Sequence, residues 1–167
     1  MTYFAAALAR TSDGWTGREL DLHEVEDLES LAEELRDLVD GAGPALLLLE
    51  EDDEYVAVVR VDGQDLEEPR VFLSDRRAVL NSDVAAMLWE QDHGIDDDED
   101  DDEEEEEEGT RPVAEPVGDP ALLADLGTSA DALIELCAEE GLLPADVITG
   151  VAERAGFLDV LDDLRGE

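Results

Sequence analysis

The apolar positions of this chain fall into two blocks separated by a stretch with none. In the first block, Tyr3–Arg10 is apolar and aromatic-rich and ends in Thr11-Ser12-Asp13-Gly14. That pattern predicts a strand, an Asp-Gly turn and a second strand over Trp15–Leu22, which together form a β-hairpin. Asp21-Leu22-His23-Glu24 fits a capping box. After it Val25, Leu28, Leu31, Ala32, Leu35, Leu38 and Val39 recur at spacings of three and four. This is one face of an amphipathic helix, stopped by Gly41, Gly43 and Pro44. Ala45–Leu49 is a continuous apolar run bounded by Pro44 and Glu50, short enough to be a strand. Tyr55–Val61 is β-branched and reads as the next strand, and Arg70–Leu73 as a short one after Pro69. Asp75–Trp89 reads as a helix capped by Ser74 or Asp75.

The order is ββαβββα. It predicts an α+β fold with an antiparallel five-stranded sheet and its helices on one face, filling residues 1–91. Ala45–Leu49 lacks polar alternation, so its strand is expected to be buried on both faces. Something must then cover the second face. The candidates are the C-terminal part of the chain, a second copy in a homodimer, or a partner.

The second block follows a linker over residues 92–118, closed by a Pro- and Gly-containing stretch from Gly109 to Gly118. Asp119-Pro120 is an N-cap with proline at the first helical position, and Gly127 closes that short helix. Thr128-Ser129-Ala130-Asp131 opens another helix that ends at Gly141. Pro144 opens a third with Val147, Ile148, Val151 and Ala152 on one face, broken at Gly156 before Phe157–Leu164. Residues 119–167 are therefore expected to form a small all-α unit, near the lower size limit for folding alone.

Between the blocks lie thirteen consecutive carboxylates: Asp96, Asp97, Asp98, Glu99, Asp100, Asp101, Asp102, Glu103, Glu104, Glu105, Glu106, Glu107 and Glu108. Like charges this close repel within a Debye length of about 8 Å. The run has nothing apolar to bury and is expected to be an extended, disordered tether. At roughly 3.3 Å per residue it spans about 40 Å. A second reading is an electrostatic bait that steers a basic partner. A calcium loop is disfavoured, because an EF-hand alternates its ligands and needs a Gly at its turn.

Charge changes the picture well beyond that run. Fifty Asp and Glu stand against ten basic residues, all Arg, for a net charge of −40. Phosphate binding needs a basic footprint, so no direct nucleic-acid binding is expected. An anionic membrane surface repels the chain for the same reason. A basic protein partner or a halophilic cytosol are the readings that remain. The N-terminus lacks a basic region before its short apolar stretch and is not expected to be a signal peptide. No apolar segment nears the ~20 residues of a membrane span, and a cytoplasmic location is expected.

Candidate chemistry is sparse. The one cysteine, Cys137, lies in the apolar helical pattern Leu133–Ala138 and reads as a buried structural thiol. His23 and His93 sit at no ligand spacing with it or with each other. Gly14, Gly17, Gly41 and Gly43 read as turn residues, with no phosphate loop. Ser12-Asp13 and Ser74-Asp75 read as turn or cap pairs. No catalytic, cofactor-binding or metal-binding residue is proposed from the sequence, and the expectation is a non-enzyme without a cofactor.

Several short motifs carry a resemblance: Tyr3-Phe4-Ala5-Ala6, Trp15-Thr16-Gly17, Leu20-Asp21-Leu22, Val59-Arg60-Val61-Asp62-Gly63, Arg70-Val71-Phe72 and Ser74-Asp75. Gly118-Asp119, Leu122-Leu123-Ala124-Asp125-Leu126-Gly127 and Leu143-Pro144-Ala145-Asp146 complete it. With these the chain resembles the tRNA adenosine deaminase-associated proteins of high-GC Gram-positive bacteria. The resemblance implies an association, through gene neighbourhood, with the enzyme that deaminates the wobble adenosine of tRNA, and the expectation is an accessory protein that binds or regulates that deaminase or another basic partner. The chain is not the deaminase itself. A zinc deaminase needs His-x-Glu and Pro-Cys-x-x-Cys; here Val25 stands two residues after His23, and one cysteine cannot supply the second motif. The alternative is an acidic nucleic-acid mimic that occupies and inhibits a basic groove.

Overall fold

A computed structural model describes residues 3–12, 14–38, 44–51, 55–62, 69–75, 78–93, 116–138 and 143–166. Six antiparallel strands form one sheet in the order β2-β1-β3-β4-β5-β6. They are β1 (Tyr3–Thr11), β2 (Gly14–Glu19), β3 (Pro44–Glu51), β4 (Tyr55–Asp62), β5 (Arg70–Leu73) and β6 (Val117–Gly118). The helices are α1 (Leu28–Leu38), α2 (Ala78–Asn81), α3 (Asp83–His93), α4 (Ala130–Ala138), α5 (Pro144–Ala155) and α6 (Leu158–Arg165). Leu22–Glu24 is a 3-10 turn and Pro120–Leu126 a 3-10 helix.

The sheet centre is apolar on both sides, and its strands divide their side chains by parity. Ala45, Leu47 and Leu49 of β3, with Ala57, Val59 and Val61 of β4, pack with Leu28, Leu31, Leu35 and Leu88 of α1 and α3. Leu46 and Leu48, with Val56, Val58 and Phe72, pack instead with Leu122, Leu123, Leu126, Leu133, Ile148, Val151, Phe157 and Leu161. Alanines of β1 face leucines of β3 across the ladder, as in Ala5 opposite Leu49 and Ala7 opposite Leu47. The small-against-large pairing lets the buried centres of the two strands lie side by side without overpacking.

The C-terminal helices are thus the cover that the unalternating strand β3 demands. The expectation of helices on one face holds for α1 and α3 alone; those that follow residue 119 close the other face, which gives three layers. The sheet has six strands and not five. Val117 and Gly118, which the pattern places within the linker, pair with Leu73 and Phe72 of β5. Gly118 makes this possible. Its φ is +103°, and a Cβ there would lie 2.2 Å from the Val71 carbonyl oxygen, so only glycine fits.

Two helix boundaries also differ. Asp21 does not open α1; it accepts a hydrogen bond from the Tyr3 hydroxyl at 3.1 Å. The cap is Asp27, whose carboxylate accepts from the Ser30 N–H at 2.8 Å. The expected Asp75–Trp89 helix is split at Ser82, where the side chain leaves the helix pattern for other partners.

Candidate functional site

The thirteen-residue run Asp96–Glu108 lies outside the described residues. The acidic character can therefore be followed only on the folded layers, where the arginines reveal its arrangement.

Arg60 sits on β4 on the face toward the C-terminal helices, where its neighbours Val56 and Val58 are apolar. A charge there requires partners. Its Nη1 donates to the Leu122 carbonyl at 2.6 Å and to Asp125 Oδ1 at 2.6 Å. Its Nη2 donates to Asp125 Oδ2 at 3.0 Å and to Asp62 at 3.1 Å. The fork across Asp125 is bidentate, the arrangement guanidinium favours. The Arg60 side chain is 8% exposed while that of Asp125 is 63%, so the pair buries the cation and leaves the anion at the rim. The Asp125 hydrogen bond raises Arg60 above its ordinary value, against burial, with Asp62 adding to the effect. In return the hydrogen bond from Arg60 holds Asp125 below the usual carboxylate range, against burial.

Two further pairs tie the same layers. Arg70 of β5 donates to Asp119 at 2.7 Å, and Asp119 also accepts from the Ala121 N–H at 3.0 Å as cap of the 3-10 helix. Burial pushes Asp119 up, but Arg70 and the Ala121 N–H outweigh it and the net shift is downward. From the other direction, Arg165 at the end of α6 reaches Glu50 of β3 at 3.1 Å. Its guanidinium lies 5.3 Å from the centre of the Phe4 ring, within cation–π range. A fourth arginine, Arg18 of β2, donates to Glu34 of α1 at 2.8 Å.

These arginines are thus engaged by carboxylates of their own chain. Among the described residues Glu29, Glu33 and Asp37 along α1, Asp159 and Asp163 on α6, and Glu19 on β2 are all exposed, beside the exposed Arg10 and Arg154.

The densest chemical cluster lies elsewhere. Glu51, Tyr55 and Ser82 are 5%, 2% and 7% exposed. Tyr55 OH donates to Glu51 Oε1 at 2.8 Å, and Ser82 Oγ donates to the same oxygen at 2.6 Å. A serine hydroxyl on a carboxylate is also the beginning of a nucleophile–base pair. Here, however, Ser82 Oγ accepts from the Ala85 N–H at 3.2 Å as helix cap. All three groups are closed in by β3, β4 and α3. The cluster joins the turn end of the β3–β4 hairpin to the α2–α3 break and explains why the helix divides there.

Among the described residues no group of three or more His, Cys, Asp or Glu is placed to hold a metal. His23 lies in the 3-10 turn and His93 ends α3. Cys137 is partly buried, not fully enclosed as expected; burial still pushes its thiol up to about 12, which keeps it protonated. Among the described residues no helix is long and apolar enough to cross a membrane. Sequence reasoning missed the Arg60 seam. The available signal was parity, since Arg60 falls on the same side of β4 as Val56 and Val58.

Fold and surface define a three-layer α/β protein in which Arg18, Arg60, Arg70 and Arg165 bond to carboxylates of the same chain while other carboxylates face out. The chain matches the Rv3753c-like tRNA adenosine deaminase-associated protein family over residues 3–158 and belongs to that family. The family is described as deaminase-associated, not as a deaminase. No curated protein and no solved structure matches the chain. Several of the motifs behind the resemblance meet at the seam: Arg60, Arg70, Gly118-Asp119 and Leu122–Asp125 all lie there.

Proposed function

We propose that this protein is a non-enzymatic accessory protein that binds or regulates a tRNA adenosine deaminase through a basic surface of that enzyme. The observation that carries the reading is the separation of charge. Arg18, Arg60, Arg70 and Arg165 are each bonded to a carboxylate of the same chain, while exposed carboxylates line α1 and α6. A tRNA-binding enzyme must carry a positive face to hold phosphates, and a chain of net charge −40 complements such a face. Family membership supplies the deaminase as the candidate. The run Asp96–Glu108 acts in this reading as a charged tether between residues 1–91 and 119–167 that speeds encounter.

The test is binding of the full chain to purified tRNA adenosine deaminase at graded salt, with deaminase activity on tRNA followed in parallel. Binding that weakens steeply with salt is expected. Absence of binding at low salt would sink the proposal.

A second reading, the nucleic-acid mimic, is favoured by carboxylates fixed on a helix, as Glu29, Glu33 and Asp37 are on α1. Competition separates the two: tRNA displaces a mimic, whereas an accessory subunit remains in a ternary complex with enzyme and tRNA.

A further inference from the structure

The two edges of the sheet are built differently. One ends in β6, two residues long and preceded by Pro116. Short length and proline are common guards against unwanted strand pairing. The other edge is β2, six residues long, without proline. Among the described residues no strand pairs with its outer side.

The direction of its backbone groups follows from one bond. Leu20 N–H donates to the Ala5 carbonyl at 2.9 Å, and β2 runs antiparallel to β1 with Arg18 opposite Ala7 and Thr16 opposite Ala9. In an antiparallel ladder bonded residues alternate. Arg18 and Thr16 therefore turn their N–H and C=O toward β1, and Trp15, Gly17 and Glu19 turn theirs outward. The strand is held firmly enough to present them. Trp15 packs on Phe157 with ring centres 4.9 Å apart. At Gly17 an added Cβ would lie 3.1 Å from Val160 Cγ1 and 2.8 Å from Leu8 Cδ2, so α6 sits directly on the strand.

The surroundings of this edge select its occupant. Glu19 on the strand is exposed, α6 above it carries exposed Asp159 and Asp163, and on the other face Arg18 is already bonded to Glu34 of α1. A second copy of the chain brings another −40 and is repelled. We infer that β2 is a docking edge for an extended, arginine- or lysine-rich segment of a partner protein, which adds to the sheet as a seventh strand. Main-chain bonds to Trp15, Gly17 and Glu19 hold it, and the flanking carboxylates choose its charge. The inference rests on the accessory reading and names the surface that reading would use.

The experiment uses the full chain and a short synthetic peptide alternating arginine with valine, beside a twin N-methylated at every second backbone amide. The parent peptide is expected to slow amide exchange at Trp15, Gly17 and Glu19, and the twin to bind about tenfold more weakly at equal charge. Glu19→Pro removes an outward N–H and is expected to weaken the parent to the same degree with its melting midpoint kept. Equal binding of parent and twin overturns the inference, because charge alone then explains attraction. So does protection of the three amides in the free chain: concentration-dependent protection identifies a second copy, and concentration-independent protection identifies residues of the same chain. Purified deaminase separates the two levels. If Glu19→Pro binds the enzyme as the parent chain does, the docking edge fails and the accessory reading stands. If the enzyme binds neither chain while the peptide binds β2, the accessory reading fails and the edge stands.

Discussion

Arg60→Met tests whether the C-terminal layer is latched to the sheet. Methionine keeps the apolar stem in place and removes the guanidinium. The bonds lost are those to the Leu122 carbonyl, to both oxygens of Asp125 and to Asp62. Asp125 and Asp62 have side chains 63% and 34% exposed, so water replaces the arginine there and each loss is on the surface scale of about 0–1 kcal/mol. The Leu122 carbonyl is enclosed, and an orphaned buried acceptor costs about 1–3 kcal/mol. The total is about 2–3 kcal/mol. At roughly 2–4 °C per kcal/mol for a chain of this size the melting midpoint falls by about 5–10 °C. Asp125→Asn costs less, about 1 kcal/mol or under, because only the rim partner changes. The double variant is expected to be less destabilised than the sum of the singles, since both act on one contact. Thermal and denaturant melts measure the midpoints, and amide exchange over Leu122–Leu133 reports where the loosening occurs. A midpoint moved by less than about 1 °C, or fully additive singles, would show that Arg60 is not the latch.

Gly17→Val is expected to destabilise by about 1–3 kcal/mol by overpacking against Leu8 and Val160; an unchanged denaturation midpoint refutes the close approach of α6 to β2. The folded-state values of Asp119 and Asp125 are both depressed. Their contribution is therefore fully present above the ordinary value of 3.8 and is lost as pH falls through the lower folded values; acid melts should show Arg60→Met losing less stability than the parent below about pH 4. With its thiol pushed up to about 12, Cys137 should react slowly with thiol reagents at mildly alkaline pH until the chain is unfolded, and rapid native labelling would contradict this. Deleting Asp96–Glu108 should slow association with the deaminase more than it speeds dissociation, as stopped-flow at graded salt would read; a dissociation rate raised tenfold with association intact would make the run a docked epitope.

The parts of the fold legible from sequence were those with a long pattern. The unalternating run Ala45–Leu49 announced a strand covered on both faces, because no polar residue marks a wet side, and it is buried on both. The period of α1 was equally plain, but its start was not. Asp21 and Asp27 both offer a capping carboxylate, and Tyr3 takes the first. The sixth strand could not be read, since two residues carry no period and Gly118 looks like any loop glycine. The break at Ser82 depends on Glu51 and Tyr55, distant in sequence. The candidate site was legible only as charge. Its arrangement depends on which carboxylate meets each arginine, and a chain with fifty acids offers too many partners for each of its ten.

The placement of those arginines links folding to recognition. A chain this acidic folds against its own repulsion, and the repulsion matters most where two layers must close on each other. Arg60, Arg70 and Arg165 all stand between the sheet and the C-terminal segment, each on a carboxylate from the other side. They neutralise the charges that the closure brings together, and in doing so Arg60 and Arg165 are withdrawn from the surface, while Arg70 stays at its rim. The same bonds that hold the third layer in place therefore leave the exterior more negative than an even spread of arginines would. Under the proposed accessory function, that exterior repels other copies of the chain and attracts the positive surface of a partner over about a Debye length. Removing a seam arginine then has two separable effects, a loosened C-terminal layer seen in the melt and a charge change of one unit at a buried position. Because the second is small beside −40, any large loss of partner binding in Arg60→Met must come through the first, which would place the docked C-terminal layer within the binding surface.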